Sequence, residues 1–199
     1  MKLFFQLFAL SLIFTACKNG NTNAASNTVK DSVSSEPYYP ISDYIRGQVA
    51  YVDTVPLAID KLVFEKNKLI DSTVIDRPTF NKMAEEFEQP DLNLNSIKPL
   101  YKENMYNDLS VNSLTFTYDT KDPTQELQQA TVLLDPTSKK VKNIIFRKTR
   151  TNGDTTITIN GLWKNNMNFQ LNYTLQPKTG LAIERQVKVI WDRPSQNGY

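Results

Sequence analysis

With 199 residues, 40% of them hydrophobic and 22% charged, the chain has the composition of an ordinary globular protein and the length of a single core. Its 23 Lys and Arg against 21 Asp and Glu leave a net charge of +2, which excludes the strongly basic footprint of a nucleic-acid partner. Histidine is absent and Cys17 is the single cysteine, so Ser-His-Asp and Cys-His catalysis, a disulfide framework and the usual zinc ligand sets are excluded as well.

The chain opens with the parts of an export signal. Lys2 is a short positive region, and Leu3 to Phe14 is an apolar stretch broken only by Gln6 and Ser11, too short to span a bilayer. It runs into Leu12-Ile13-Phe14-Thr15-Ala16-Cys17, where two small residues precede the cysteine. An exported chain with one unpaired thiol would carry a reactive liability, and modification of that thiol removes it. This junction resembles the lipobox of bacterial lipoproteins, with Phe14 where the family usually has Leu. The resemblance implies cleavage after Ala16, a diacylglyceryl thioether on Cys17 and fatty acylation, for instance by palmitate, of the freed amine. Several acyl chains, at about 0.8 kcal/mol per buried methylene, hold a protein far more firmly than one.

Residues 17–40 follow as the lipidated cysteine and a tether rich in Asn, Ser, Thr and Ala, with almost no large apolar side chain before Tyr38. Such a composition cannot bury enough surface to order itself. A flexible segment of this length spans roughly 25 Å. Lys18-Asn19-Gly20-Asn21 has no Asp after the cysteine and no acidic cluster, which by resemblance to Gram-negative sorting rules places the anchor in the outer membrane with the domain facing the periplasm.

Residues 41–199 are expected to form one globular domain. Ser42 is a candidate cap for a helix in which Ile41, Ile45, Val49 and Val52 recur at the helical period before Pro56 stops it. Leu57 to Phe64 and Lys68 to Ile75 read as a hairpin around Glu65-Lys66-Asn67. A second helix is capped by Asp76, carries Pro78 in its first turn, places Phe80, Met83, Ala84 and Phe87 on one face, and ends at Pro90. Glu85, Glu86 and Glu88 are expected on its solvated side. From Asp91 to Ser110 no period holds, and the segment reads as a connector with a helical turn near Ser96.

Alternation returns in Leu114, Phe116 and Tyr118 and in Phe169, Leu171, Tyr173 and Leu175. Gln129 to Leu134, Val141 to Arg150, Thr155 to Trp163 and Ile183 to Trp191 also fit strands, separated by turn-forming sequences such as Asp135-Pro136-Thr137-Ser138 and Asn152-Gly153. The fold class is therefore α+β: a large antiparallel meander covered on one face by two N-terminal helices. The alternative is a curled half-barrel around the helices, similar to the lipoprotein carriers of the bacterial envelope, with an apolar cavity inside.

Candidate chemistry is sparse. No nucleophile elbow, Walker loop, dinucleotide fingerprint or calcium loop occurs, and no cofactor or metal is expected. Asp119, Asp122 and Asp135 keep carboxylate catalysis formally open, although turns are commonly rich in Asp. Arg147, Lys148 and Arg150 form a basic strand end. Trp163, Tyr38, Tyr39, Tyr101 and Tyr106 can stack on sugars or pack at an interface, Trp163 with partial exposure, whereas Trp191 continues the core parity of Ile183 to Val189.

With the Cys17 junction, the Asn- and Ser-rich tether, Tyr39-Pro40-Ile41-Ser42-Asp43-Tyr44-Ile45 and Gly153-Asp154-Thr155-Thr156-Ile157, the chain resembles small envelope lipoproteins of Bacteroidota-type bacteria. That resemblance implies an anchor at Cys17, a membrane partner through it and an envelope location, and no particular activity. The expectation is a non-enzymatic binding or assembly module with an envelope protein as partner; a carrier or sensor of a hydrophobic ligand is the alternative.

Overall fold

The computed structural model describes residues 36–192. Helix α1 spans Ile41–Thr54, followed by the hairpin β1 (Ile59–Glu65) and β2 (Lys68–Ile75), then α2 (Arg77–Glu88). A single 3-10 turn at Lys98–Leu100 leads into an unbroken run of strands: β3 (Tyr101–Asp108), β4 (Ser113–Thr120), β5 (Leu127–Leu134), β6 (Val141–Asn152), β7 (Thr155–Lys164), β8 (Asn168–Pro177) and β9 (Ile183–Ile190).

All nine strands lie in one antiparallel sheet of order β2-β1-β9-β8-β7-β6-β5-β4-β3. The meander from β3 to β9 is the one its short turns demand. The first hairpin then joins at the far side, with Asp60 opposite Ile190 and Glu65 opposite Arg185. The sheet is open, with β2 and β3 as its edges. The helices fall on either side of the first hairpin, at 41–88, and do not stand together at the start of the chain.

Local chemistry accounts for most element ends. The Asp76 carboxylate accepts the Thr79 amide at 3.0 Å, and Pro78 sits in the first turn of α2, where a missing N–H costs nothing. In the β1–β2 turn Lys66 and Asn67 both take positive φ, the geometry of a type I′ connection whose twist matches the flanking strands. Ser42, by contrast, is not the cap of α1. Pro40 occupies that place, and the Ser42 hydroxyl lies inside the first turn and donates to the Glu88 carbonyl at 2.6 Å, tying the start of α1 to the end of α2.

The core is aromatic. Phe80 and Phe87 on α2 meet Phe146, Trp163, Phe169 and Trp191 of the sheet, with Phe87 5.2 Å from Trp163 and 4.9 Å from Phe146, edge to face in both cases. Offset and edge contacts of this kind add about 0.5–1.5 kcal/mol each to the burial of the rings. Trp163 is fully buried, which corrects the expectation of partial exposure at the end of its strand: α2 extends over that end and covers it. Gly161 lies beneath Phe146, where a Cβ would stand 2.2 Å from a ring carbon, so the close approach of ring to backbone requires glycine.

Strand β3 was not expected. Lys102, Glu103, Asn104, Asn107 and Asp108 give it no apolar alternation, and Tyr101 is its one fully buried residue. As an edge strand it gains its structure from the ladder to β4, Tyr101 opposite Thr120 through Asp108 opposite Ser113, and packs on the core at one end alone.

Candidate functional site

Cys17, the principal site expected from the sequence, lies outside the described residues. The chain enters the described domain at Tyr38, whose phenol donates to the Tyr101 carbonyl at 2.9 Å and whose backbone amide donates to the Asn93 side chain at 2.8 Å. The Tyr39 amide donates to the Tyr118 hydroxyl at 2.9 Å, and the Tyr38 and Tyr118 rings are 4.8 Å apart. Three of the tyrosines singled out from sequence, Tyr38, Tyr39 and Tyr101, thus fasten the entry of the chain onto β3 and β4. Burial raises the pKa of the Tyr38, Tyr101 and Tyr118 phenols, that of Tyr101 to about 12. Tyr106 remains exposed on the edge strand.

The basic strand end divides between the faces of the sheet. Arg147 points to the uncovered face, opposite Gln129 and Asn160, while Lys148 and Arg150 reach α2. Lys148 Nζ donates to the Glu86 carbonyl at 2.7 Å and lies 3.2 Å from its carboxylate; Arg150 Nη2 is 2.8 Å from Glu86 and 2.7 Å from Glu126. Burial pushes the Lys148 ammonium pKa down, against the opposing pull of Glu86. Burial also disfavours the Arg150 cation, and the carboxylates of Glu86 and Glu126 outweigh it, so that its pKa stands above the usual value. Glu86 and Glu88 therefore do not form the solvated face expected of α2. Glu86 holds the helix to β6, and the Glu88 side chain is 16% exposed and 3.8 Å from Arg46.

The three acids do not converge on one another. Asp119 accepts from Gln129 at 2.6 Å and from Asn104 at 3.3 Å. Asp122 takes the Thr124 amide and hydroxyl and the Gln125 side chain, and Asp135 takes the Thr137 and Ser138 amides and the Ser138 hydroxyl, each closing its own turn. Hydrogen bonding from Gln125 and Ser138, respectively, lowers the Asp122 and Asp135 pKa, the opposite of what a general acid near neutral pH requires. Among the described residues no group of three or more His, Cys, Asp or Glu side chains is arranged to hold a metal ion.

Two spaces remain. Between α2 and the sheet, the gap lined by Ile41, Phe87, Leu92, Leu127, Ala130 and Phe146 measures about 20 Å³, on the scale of one water. A cleft of about 230 Å³ opens instead where the β1–β2 turn meets the ends of β8 and β9, lined by Phe64, Lys66, Asn67, Asn172, Thr174, Glu184 and Gln186 among others. Val63 pairs with Asp71 and Phe64 with Leu69, so Ile70 is the extra residue that bends the hairpin close to its turn. Across the sheet, Phe64, Gln186, Asn172 and Asn160 stand opposite one another in a single row. Gln186 Nε2 and Gln170 Nε2 both donate to Asn172 Oδ1, at 2.8 and 3.1 Å, which fixes the amide planes. The side chains of Lys66, Asn67 and Glu184 have no hydrogen-bond or ion-pair partner among the described residues. No signal along the chain points to this cleft, because its residues come from β1, the β1–β2 turn, β8 and β9, brought together by the return of the first hairpin to β9.

No protein-family profile, curated protein or solved structure matches this chain.

Proposed function

We propose that the chain is a lipid-anchored protein of the cell envelope whose domain is a non-enzymatic binding or assembly module. Cys17 carries the lipid, residues 17–40 form the tether, and the outer membrane holds the anchor with the domain on its periplasmic side. We also read α1 and α2 as the cover of one sheet face, in preference to a half-barrel around a ligand space.

The observation that supports a binding role is the contrast in how polar groups are used. Lys148, Arg150, Asp119, Asp122 and Asp135 are engaged within the fold, whereas the cleft beside the β1–β2 turn keeps Lys66, Asn67 and Glu184 available. A carrier of hydrophobic ligands needs room between helices and sheet, and the gap beside Phe87 and Phe146 is about 20 Å³ against the roughly 300–1,000 Å³ of ligand pockets.

Two experiments test this reading. Metabolic labelling with a radioactive fatty acid should mark the wild-type chain and fail to mark Cys17→Ser; equal labelling of both refutes the anchor. Crosslinking in intact cells followed by mass spectrometry should recover a neighbour in the envelope, and recovery of the protein alone refutes the module.

A further inference from the structure

We propose that the cleft between the β1–β2 turn and the ends of β8 and β9 binds one ring of a neutral saccharide. This deepens the binding-module reading and rests on it. The ligand class follows from the functional groups that face the space. Gln186 spends its N–H on Asn172 and leaves its Oε1 without a partner, an acceptor at a fixed position. Asn172 Nδ2 has one long contact, 3.4 Å to the Asn160 carbonyl, and is a donor ready for a better acceptor. Thr174 and Glu184 stand opposite each other in the next row, Glu184 as an acceptor and Thr174 as both donor and acceptor, and Lys66 adds a donor from the turn.

Donors and acceptors in equal measure, held in place by neighbouring amides, match sugar hydroxyls, each of which donates one hydrogen bond and accepts others. Phe64 stands at the end of the row and offers an apolar surface to the C–H face of a sugar ring. The charges of Lys66 and Glu184 cancel, and Arg185, which also lines the cleft, is paired with Glu65 at 3.0 Å. A phosphate would find no surplus of positive charge, a cation would find one carboxylate, and a hydrophobic ligand would strand the amides without partners. The volume of about 230 Å³ lies below the range of drug-sized pockets and fits a single ring, with the rest of a longer glycan running out over the open face.

Saturation-transfer NMR on the full chain tests the assignment, with the methyl glycosides of glucose, galactose, mannose and N-acetylglucosamine as probes and inorganic phosphate as the control. At least one glycoside should bind saturably at about millimolar affinity, with little dependence on salt. Gln186→Ala and Asn172→Ala should each weaken that binding by about tenfold or more while the thermal midpoint stays within a few degrees, since both side chains lie on the uncovered face. Absence of transfer to every glycoside overturns the proposal. So does glycoside binding that survives both substitutions, or phosphate binding in its place. A neighbour recovered by crosslinking in cells while all glycosides fail would sink the saccharide assignment alone and leave the binding module standing.

Discussion

The two faces of the sheet use the same kinds of side chain to opposite ends. On the covered face, polar groups are scarce and mostly engaged: Lys148 and Arg150 bind Glu86, Ser42 closes α1 onto α2, and Tyr38, Tyr101 and Tyr118 fasten the entry of the chain, while Arg150 Nε and the indole N–H groups of Trp163 and Trp191 are buried without a partner. On the uncovered face, Gln170 and Gln186 both donate to the Asn172 side chain, whose own amide meets the Asn160 backbone carbonyl, and these amides order one another and still offer unused donors and acceptors. The lesson concerns burial. A buried polar group must be satisfied inside the fold, so it becomes structural, whereas a half-exposed one can be ordered by a neighbour and remain available.

Truncation of the core should show the largest effect. Phe87→Ala removes a ring that touches Phe146, Trp163 and Phe169, and is expected to cost about 3–5 kcal/mol in urea denaturation. A loss below about 1 kcal/mol would mean that the helices do not secure the sheet. Next comes the ion cluster. Glu86→Ala leaves the buried Lys148 without its carboxylate, and about 2–3 kcal/mol is expected, less than for a fully buried pair because Arg150 and Glu86 are partly exposed. Gly161→Ala forces a methyl group against the Phe146 ring, itself locked by Phe87, for about 1–3 kcal/mol. Phe146→Leu should relieve part of that loss in a double-mutant cycle.

Alkaline titration tests the tyrosine fastening. Tyr101, raised to about 12, and Tyr38, Tyr44 and Tyr118, also raised by burial, stay neutral in the folded chain at a pH where unfolded phenols ionise. The contribution of Tyr101 is complete below the unfolded value of 10.0 and is lost as pH climbs through about 12, and those of Tyr38, Tyr44 and Tyr118 are likewise complete below 10.0 and lost above it. The share of phenolate absorbance that Tyr38→Phe, Tyr101→Phe or Tyr118→Phe removes should therefore appear together with loss of secondary structure, whereas the exposed Tyr51 and Tyr106 contribute without unfolding. Ionisation of the three buried phenols near pH 10 with the fold intact would mean that the entry segment is not held as described. The smallest effect belongs to the uncovered face: Glu184→Ala should change stability by less than about 0.5 kcal/mol.

How much of this was written in the sequence depends on how local the cause is. Helix α2 was legible down to its cap because Asp76, Pro78 and the Phe80-to-Phe87 stripe all lie within one segment. The meander from β4 to β9 was legible because its strands alternate and its turns carry their own chemistry. Strand β3 was not, since an edge strand held by its neighbour needs no apolar period. Nor was the role of Glu86, whose partners Lys148 and Arg150 lie more than sixty positions away along the chain. The cleft was least legible of all. It depends on β1 pairing with β9, a property of the assembled sheet.

Hydrogen exchange on the full chain, with and without the tightest-binding glycoside, tests the division of labour between the faces most directly. Amides of β6, β7 and β8 beneath α2 should be the slowest and indifferent to ligand, and new protection should be confined to Phe64–Asn67 and the facing ends of β8 and β9. New protection in α2 and β6 instead would place the ligand between helices and sheet, and would contradict the account.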